Sequence, residues 1–215
     1  MSIFYEVRRE YDLTHLNEQA LTESPYGLFQ LWYDELVAAK VVKDTTAMIV
    51  ATVDQQHKPY QRTVLMKSFD EQGFVFYTNQ HSRKGQHIAN NNQVCLMFPW
   101  LAMERQIIVN GVAEKVSDDE SDNYFASRPI SSQVAAVVSQ QSQPVDSRET
   151  LEAKFHELMA FYQDKPVPRP PHWGGYRVKP TSIEFWQGGE NRIHDRFIYE
   201  LDPQAQRWQI TRLQP

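Results

Sequence analysis

Cysteine is almost absent: Cys95 stands alone among 215 residues. One thiol excludes an intramolecular disulfide framework and a cysteine-based zinc site. Glycine is scarce, eight in all. The patterns GxGxxG, GxxxxGK[ST] and GxSxG are missing, so Rossmann, P-loop and α/β-hydrolase readings lose their main support. No apolar run approaches the roughly 18 residues of a membrane-spanning helix. A basic excess is lacking too. The formal net charge is −5 at pH 7, which demotes a non-specific nucleic-acid binder. The N-terminal segment MSIFYEVRR has no apolar stretch of the signal-peptide kind. His156-Glu157 lacks a second histidine four residues on, and no histidine pair has metal-ligand spacing. A cytoplasmic enzyme or binding protein without a metal is expected.

What is present reads as one globular core. Residues 1–24 are polar and weakly patterned, as in a flexible arm. Residues 25–215 are expected to form a single domain. Ser24-Pro25 supplies an N-cap and a first-turn proline, and Leu28, Leu31, Trp32 and Leu36 follow at helical spacing. Strands are expected at Thr46–Val53, Tyr60–Ser68, Phe74–Asn79, Gln93–Trp100 and Glu104–Val116, with a short helix after Ser82. Residues 117–165 read as helical, with a capping box from Asp146 to Glu149. Lys165–Pro171 holds four prolines in seven residues and marks a rigid connection. Strand character returns at Gly175–Val178, Ser182–Gln187, Arg196–Leu201 and Trp208–Leu213. Short strands with tight connections favour an α+β, mainly β fold, an antiparallel sheet or barrel with peripheral helices. Cys95 lies in an apolar strand and is expected to be an inert core thiol.

Three cationic clusters stand out, the first made of Arg62, Lys67, Arg83 and Lys84. Arg83-Lys84 open a helix directly after a strand, an arrangement that holds a phosphate or simply forms a solvated pair. Arg62 and Lys67 share one expected strand. Their opposite parity would point them to different sides, hence to two different anions, unless a bulge intervenes. Arg192, His194 and Arg196 alternate along the chain. On a strand they would share one face and repel unless an anion or a π-ligand compensates; a solvated hairpin rim is the alternative. Tyr124, Arg128 and Ser132 bracket a helix break at Pro129. They suit a phosphate monoester, or only cap helix ends.

Taken in order, QRTVLMK at 61–67, FYTN at 76–79, SRK at 82–84, FPW at 98–100, ERQ at 104–106, SRP at 127–129, QQS at 140–142 and FWQGGENRIHDRF at 185–197 resemble the pyridoxamine/pyridoxine 5′-phosphate oxidases. These are FMN-dependent enzymes of vitamin B6 metabolism. The resemblance implies an FMN-binding split barrel and a homodimer with FMN at the subunit interface. It places FMN contacts on Arg62, Thr63, Val64, Leu65, Met66, Lys67, Tyr77, Thr78, Arg83, Lys84, Gln106, Gln141, Ser142, Trp186 and Arg196. Substrate contacts fall on Lys67, Tyr124, Arg128 and Ser132 at the phosphate, and on Arg192, Ile193 and His194 at the ring. Of these, Arg192 and His194 are the catalytic candidates. Arg8, Arg9, Glu10 and Tyr11 match a segment that closes over substrate. The implied reaction oxidises pyridoxamine or pyridoxine 5′-phosphate to pyridoxal 5′-phosphate. Dioxygen is the acceptor and hydrogen peroxide, plus ammonia from the amine, the product. The alternatives are a split-barrel flavin oxidoreductase with another substrate, or a non-catalytic binder of FMN or pyridoxal phosphate. Neither membrane nor nucleic acid is an expected partner.

Overall fold

Alternation of apolar and polar residues decides most of the sheet. In β1 (Ala47–Val53), Met48, Val50 and Thr52 are buried while their neighbours are half-exposed. In β5 (Gln93–Trp100), Val94, Leu96, Phe98 and Trp100 point inward. β6 (Arg105–Lys115) follows the same period. The computed structural model describes residues 9–215. All pairings are antiparallel. The order runs β2 (Pro59–Leu65), β1, β5, β6, β7 (Trp173–Gln187), β4 (Gly73–Asn79) and β3 (Ser68–Asp70). β8 (Asp195–Asp202) and β9 (Arg207–Arg212) branch from β7.

The branch arises because β7 changes partner along one edge. Its first half pairs with β4, from Asn79↔Trp173 to Phe74↔Val178. Its second half pairs with β8, from Ser182↔Glu200 to Gln187↔Asp195. The two strands expected at 175–178 and 182–187 are therefore one strand. The register against β6 shifts at Asn110/Gly111, opposite Pro180. Proline has no N–H for the ladder, so the bulge sits where the ladder can lose a bond.

The strand expected at Tyr60–Ser68 is, conversely, two. Met66 N–H donates to Thr46 O, on the side of β1. Lys67 N–H donates to Val75 O in β4. The chain crosses from one partner to the other there, closing the sheet toward a barrel. Arg62 and Lys67 thus do not share a strand, and the parity argument for two anions does not apply.

Helix α1 (Pro25–Ala39) starts as expected, with the Ser24 hydroxyl accepting from Tyr26 N–H. It plugs the barrel with Leu28, Phe29, Trp32 and Leu36. The Phe29 ring meets Phe69, Phe74 and Phe98 edge-on at 4.7–5.0 Å. Helix α2 (Arg83–Asn90) is capped by Ser82. Helices α3 (Asp118–Ser127), α4 (Ile130–Val138) and α5 (Arg148–Phe161) cover a second, smaller cluster around Phe125, Val134, Val167 and Trp173. The cap of α5 is Ser147, accepting from Thr150 N–H, not the Asp146 expected one residue earlier.

The described part of the expected arm, residues 9–24, is hydrogen-bonded to the domain. Glu104, with no exposed side-chain surface, accepts from Arg9 Nη2 at 2.6 Å and from Leu13 N–H at 3.1 Å. Leu16 is buried, and its N–H donates to Asp195.

Candidate active site

β4 ends where α2 begins, and the Ser82 cap turns the first residues of α2 toward a cleft. Gly85 permits the close approach: a Cβ there would sit 2.1 Å from Gln80 O. Lys84 is only 8% exposed. Its ammonium donates to Thr78 Oγ1 at 2.8 Å, Ser82 Oγ at 3.3 Å and Gln141 Oε1 at 2.5 Å. Burial and the Arg62 charge push its pKa down to about 8. Arg83 N–H donates to Ser142 Oγ. Arg62 donates to Val50 O, Thr52 Oγ1 and Tyr60 O, and burial and Arg83 lower its pKa. Among the described residues none of these three cations has a carboxylate partner. Three mutually repelling cations at a helix N-terminus, held only by neutral groups, fit a phosphate. The FMN phosphate is therefore compatible with the side chains in place.

The adjoining cleft has a volume of about 550 Å³. Thr63, Val64, Leu65 and Lys67 line one side, Tyr77, Thr78, Lys84 and Gln141 the next, and Tyr124, Arg128 and Ser132 the third. FMN and substrate-phosphate candidates thus meet in one space. Of the FMN-phosphate candidates Lys84 and Gln141 line it, whereas Arg62, Arg83 and Ser142 stand outside its lining and the Met66 side chain is buried in the core.

Arg128 forms the second unmatched cationic centre. Pro129 breaks the helix, and Arg128 caps α3 in extended geometry, as expected. Its Nη1 is buried without a hydrogen-bond partner. Its guanidinium lies 4.8 Å from the Trp173 ring centre and 5.7 Å from that of Phe125. An orphaned donor beside a cleft wants an anion.

Trp173 was not anticipated from the sequence. It stacks on Tyr77 at 5.4 Å, and Tyr77 stacks on Tyr124 at 4.0 Å. Tyr77 donates its hydroxyl to Glu120, and burial with that carboxylate pushes its pKa up to about 12. Its ring, rather than its hydroxyl, is left for a ligand. Arg169 ties the Trp173 carbonyl to Asp118 and Asp122 of α3. The signal available in advance was a tryptophan directly after a proline-rich connection.

The remaining candidates form a separate group around the β7–β8 connection. Gln106 pairs with Trp186, and Trp186 with Arg196. The Trp186 and His194 rings lie 4.6 Å apart, and Tyr11 stands edge-on to both. Gly188 makes room for Tyr11: a Cβ there would meet the ring at 2.8 Å. Gly189 N–H donates to His194 Nδ1, which leaves the proton on Nε2. Arg192, Ile193 and Glu10 are exposed. Arg8 lies outside the described residues.

Arg192 and His194 do not lie on a strand. Glu190–Arg192 is a 3-10 turn with Asn191 and Arg192 at positive φ, and β8 starts only at Asp195. Arg196 is paired with Glu184 through Nε at 2.9 Å and Nη2 at 2.8 Å. Of the two alternatives, three like charges on one strand face is therefore not the one that forms. A carboxylate from the neighbouring strand neutralises one member, and a turn reorients the other two. No residue of this second group lines the cleft.

Two family models match the chain. "Pyridoxamine 5′-phosphate oxidase" covers residues 36–161, and "Pyridoxine 5′-phosphate oxidase C-terminal dimerisation region" covers residues 173–215. A curated relative from Shewanella pealeana, pyridoxine/pyridoxamine 5′-phosphate oxidase, is 50% identical over 215 residues, covering 100% of both chains. The solved structure of PhzG from Burkholderia lata 383, in complex with tetrahydrophenazine-1-carboxylic acid, is 29% identical. It superposes with a TM-score of 0.86 over 93% of this chain and 98% of its own. A pyridoxamine 5′-phosphate oxidase-related, FMN binding protein from Nostoc punctiforme PCC 73102 shares the fold at 14% identity and a TM-score of 0.72, over 91% of this chain and 100% of its own. The split-barrel sheet, the cleft between two unmatched cationic centres and end-to-end identity with such a relative agree: this chain belongs to the pyridoxamine 5′-phosphate oxidase family.

Proposed function

We propose that the protein is an FMN-dependent oxidase that converts pyridoxamine or pyridoxine 5′-phosphate to pyridoxal 5′-phosphate. The carrying observation is one cleft flanked by two cationic centres that lack carboxylates: Arg62, Arg83 and Lys84 at one end, Arg128 at the other. FMN held there would supply the two-electron redox chemistry at the substrate's C4′ carbon, with dioxygen as the final acceptor. Arg62, Arg83 and Lys84 hold the FMN phosphate, with Gln141 and Ser142 as neutral donors or acceptors beside it. Lys67, Tyr124, Arg128 and Ser132 hold the substrate phosphate. Two anchors in one cleft fix the relative position of the two rings, which is the proximity contribution.

Arg192 and His194 complete the site from the substrate's ring side. Within one protomer they stand apart from the cleft, and so do Trp186 and Arg196. We assign them to the cleft of the other subunit in a homodimer, so that FMN lies at the interface. All four fall within the matched dimerisation region, residues 173–215. A single free thiol suits the cytoplasm, where we place the protein. No helix among the described residues is long and apolar enough to cross a membrane.

Anaerobic titration of the flavin-loaded protein with pyridoxamine 5′-phosphate tests the reading. Stoichiometric bleaching of the flavin band is expected. An unbleached band at full flavin occupancy and saturating substrate would overturn it.

Trp173 gives a second expected result. Its ring supports the Arg128 cation, and such contacts contribute about 0.5–2 kcal/mol. Trp173→Leu should raise KM for pyridoxamine 5′-phosphate by about tenfold, and Trp173→Phe by less. Unphosphorylated pyridoxamine should be turned over equally by all three proteins. A parallel loss on both substrates would show that Trp173 serves only packing.

A further inference from the structure

We propose that Thr52 and His87 are positioning residues: they hold Arg62, and through Tyr60 also Arg83, in the orientation that receives the FMN phosphate. The inference rests on the assignment of that phosphate to Arg62, Arg83 and Lys84.

The geometry is a short relay behind the cationic centre. Thr52 is 2% exposed on β1, and His87 is 7% exposed on α2. Arg62 Nη1 donates to Thr52 Oγ1 at 2.7 Å. Thr52 Oγ1 lies 3.0 Å from His87 Nδ1. The Tyr60 ring packs on the His87 ring at 5.0 Å, and the Arg83 guanidinium lies over the Tyr60 ring at 5.4 Å. His87 is one helical turn beyond Arg83, so both belong to the same helix face. One imidazole therefore backs two of the three cations.

Hydrogen-bond bookkeeping fixes the direction of the relay. A guanidinium only donates, so Thr52 Oγ1 accepts from Arg62. The hydroxyl proton is then free for His87 Nδ1, with the ring proton on Nε2; this tautomer is inferred from the network. Burial, Arg62 and Arg83 hold the His87 pKa below the usual histidine range against the opposing pull of Asp54. A neutral imidazole is what an acceptor at Nδ1 requires.

The chemistry explains why a neutral pair occupies this place. A carboxylate would orient Arg62 more firmly, but it would cancel the charge that attracts phosphate and repel the anion itself. A hydroxyl backed by an imidazole orients the guanidinium and leaves its charge intact. Elsewhere the protein does use carboxylates on arginines, as in Glu184 on Arg196 and Asp118 and Asp122 on Arg169. Arg62, among the described residues, has no such carboxylate and is held by neutral oxygens alone.

The test compares FMN with riboflavin, which lacks the phosphate, on the full chain stripped of flavin. Flavin fluorescence quenching gives both dissociation constants. Thr52→Val should weaken FMN by about tenfold and riboflavin by less than about twofold. Thr52→Ser keeps the hydroxyl and should behave as the parent. His87→Phe keeps the ring packing and loses the acceptor, so it should weaken FMN alone, by less than Thr52→Val. Riboflavin binding also reports that each variant has folded. Equal losses for FMN and riboflavin would overturn the proposal in favour of a packing role. So would unchanged binding in both variants, if Arg62→Ala abolishes the preference for FMN over riboflavin. If Arg62→Ala leaves that preference intact, the phosphate assignment itself fails, and the proposal with it.

Discussion

Lys84→Met should weaken FMN binding by about 10- to 100-fold, the range for losing a charge-assisted contact of roughly 1.5–3 kcal/mol. Methionine keeps the apolar stem packed and removes the ammonium that now donates to Thr78, Ser82 and Gln141. KM for pyridoxamine 5′-phosphate at saturating FMN should change far less, because that phosphate is assigned to Arg128. The opposite pattern would mean that the two phosphate sites are reversed. The pH dependence gives an independent check. Lys84 of the flavin-free protein has its pKa pushed down to about 8. Below pH 8 it is charged before FMN arrives. Above pH 8 it is neutral and must take up a proton as the phosphate binds, because the anion favours the charged form. FMN affinity should therefore fall as pH rises through 8, by up to about tenfold per pH unit. In Lys84→Met the step should vanish; its persistence would assign it to another group.

Arg192→Ala should retain FMN and fold while losing turnover by on the order of 100-fold, the cost of misplacing the reacting carbon by about 1 Å. Arg192 is exposed at a turn and has no ion-pair partner among the described residues. Its loss removes no contact from the barrel. Arg192→Lys keeps the charge and loses the planar guanidinium, so a stacking role predicts little rescue. Full rescue by lysine would leave charge as its only contribution. His194→Ala should act in the same direction but more mildly, as the loss of one hydrogen bond from Nε2. The intersubunit assignment has its own test. Arg128→Ala and Arg192→Ala proteins, each strongly impaired, are unfolded together and refolded as a mixture. If one site takes Arg128 from one chain and Arg192 from the other, half the dimers are mixed and each holds one intact site, so about a quarter of the parent activity should return. No recovery would put both residues of a site on one chain.

The contrast between correct and incorrect expectations has one cause. Strand β1, strand β5 and helix α1 were legible because each buries a periodic face in the same core. The SRK turn was legible because its parts are consecutive: Ser82 caps, and Arg83 and Lys84 follow. The parity of Arg62 and Lys67 misled, because it assumes one continuous ladder. The chain instead leaves β1 for β4 between Met66 and Lys67. Arg192, His194 and Arg196 misled for a similar reason: the alternation is real in the sequence, but Asn191 and Arg192 adopt positive φ. Thr52 and His87 gave no usable signal, and Trp173 only its place after a proline-rich connection. Each acts on a residue distant in the chain.

The sequence by itself determined the class of fold, the order of most elements and the positions at which cations concentrate. Local periodicity, capping and turn chemistry are properties of a few neighbouring residues and can be read without coordinates. Only the tertiary structure decided which cations remain unmatched. Arg196 and Arg128 look alike in the sequence. Glu184, across a strand pairing, neutralises the first. The second is left over Trp173 with a buried donor unsatisfied. Whether an arginine is a structural clamp or an anion site depends on what the fold brings to its guanidinium, and such a partner can lie 194 residues away, as Glu18 does from Arg212.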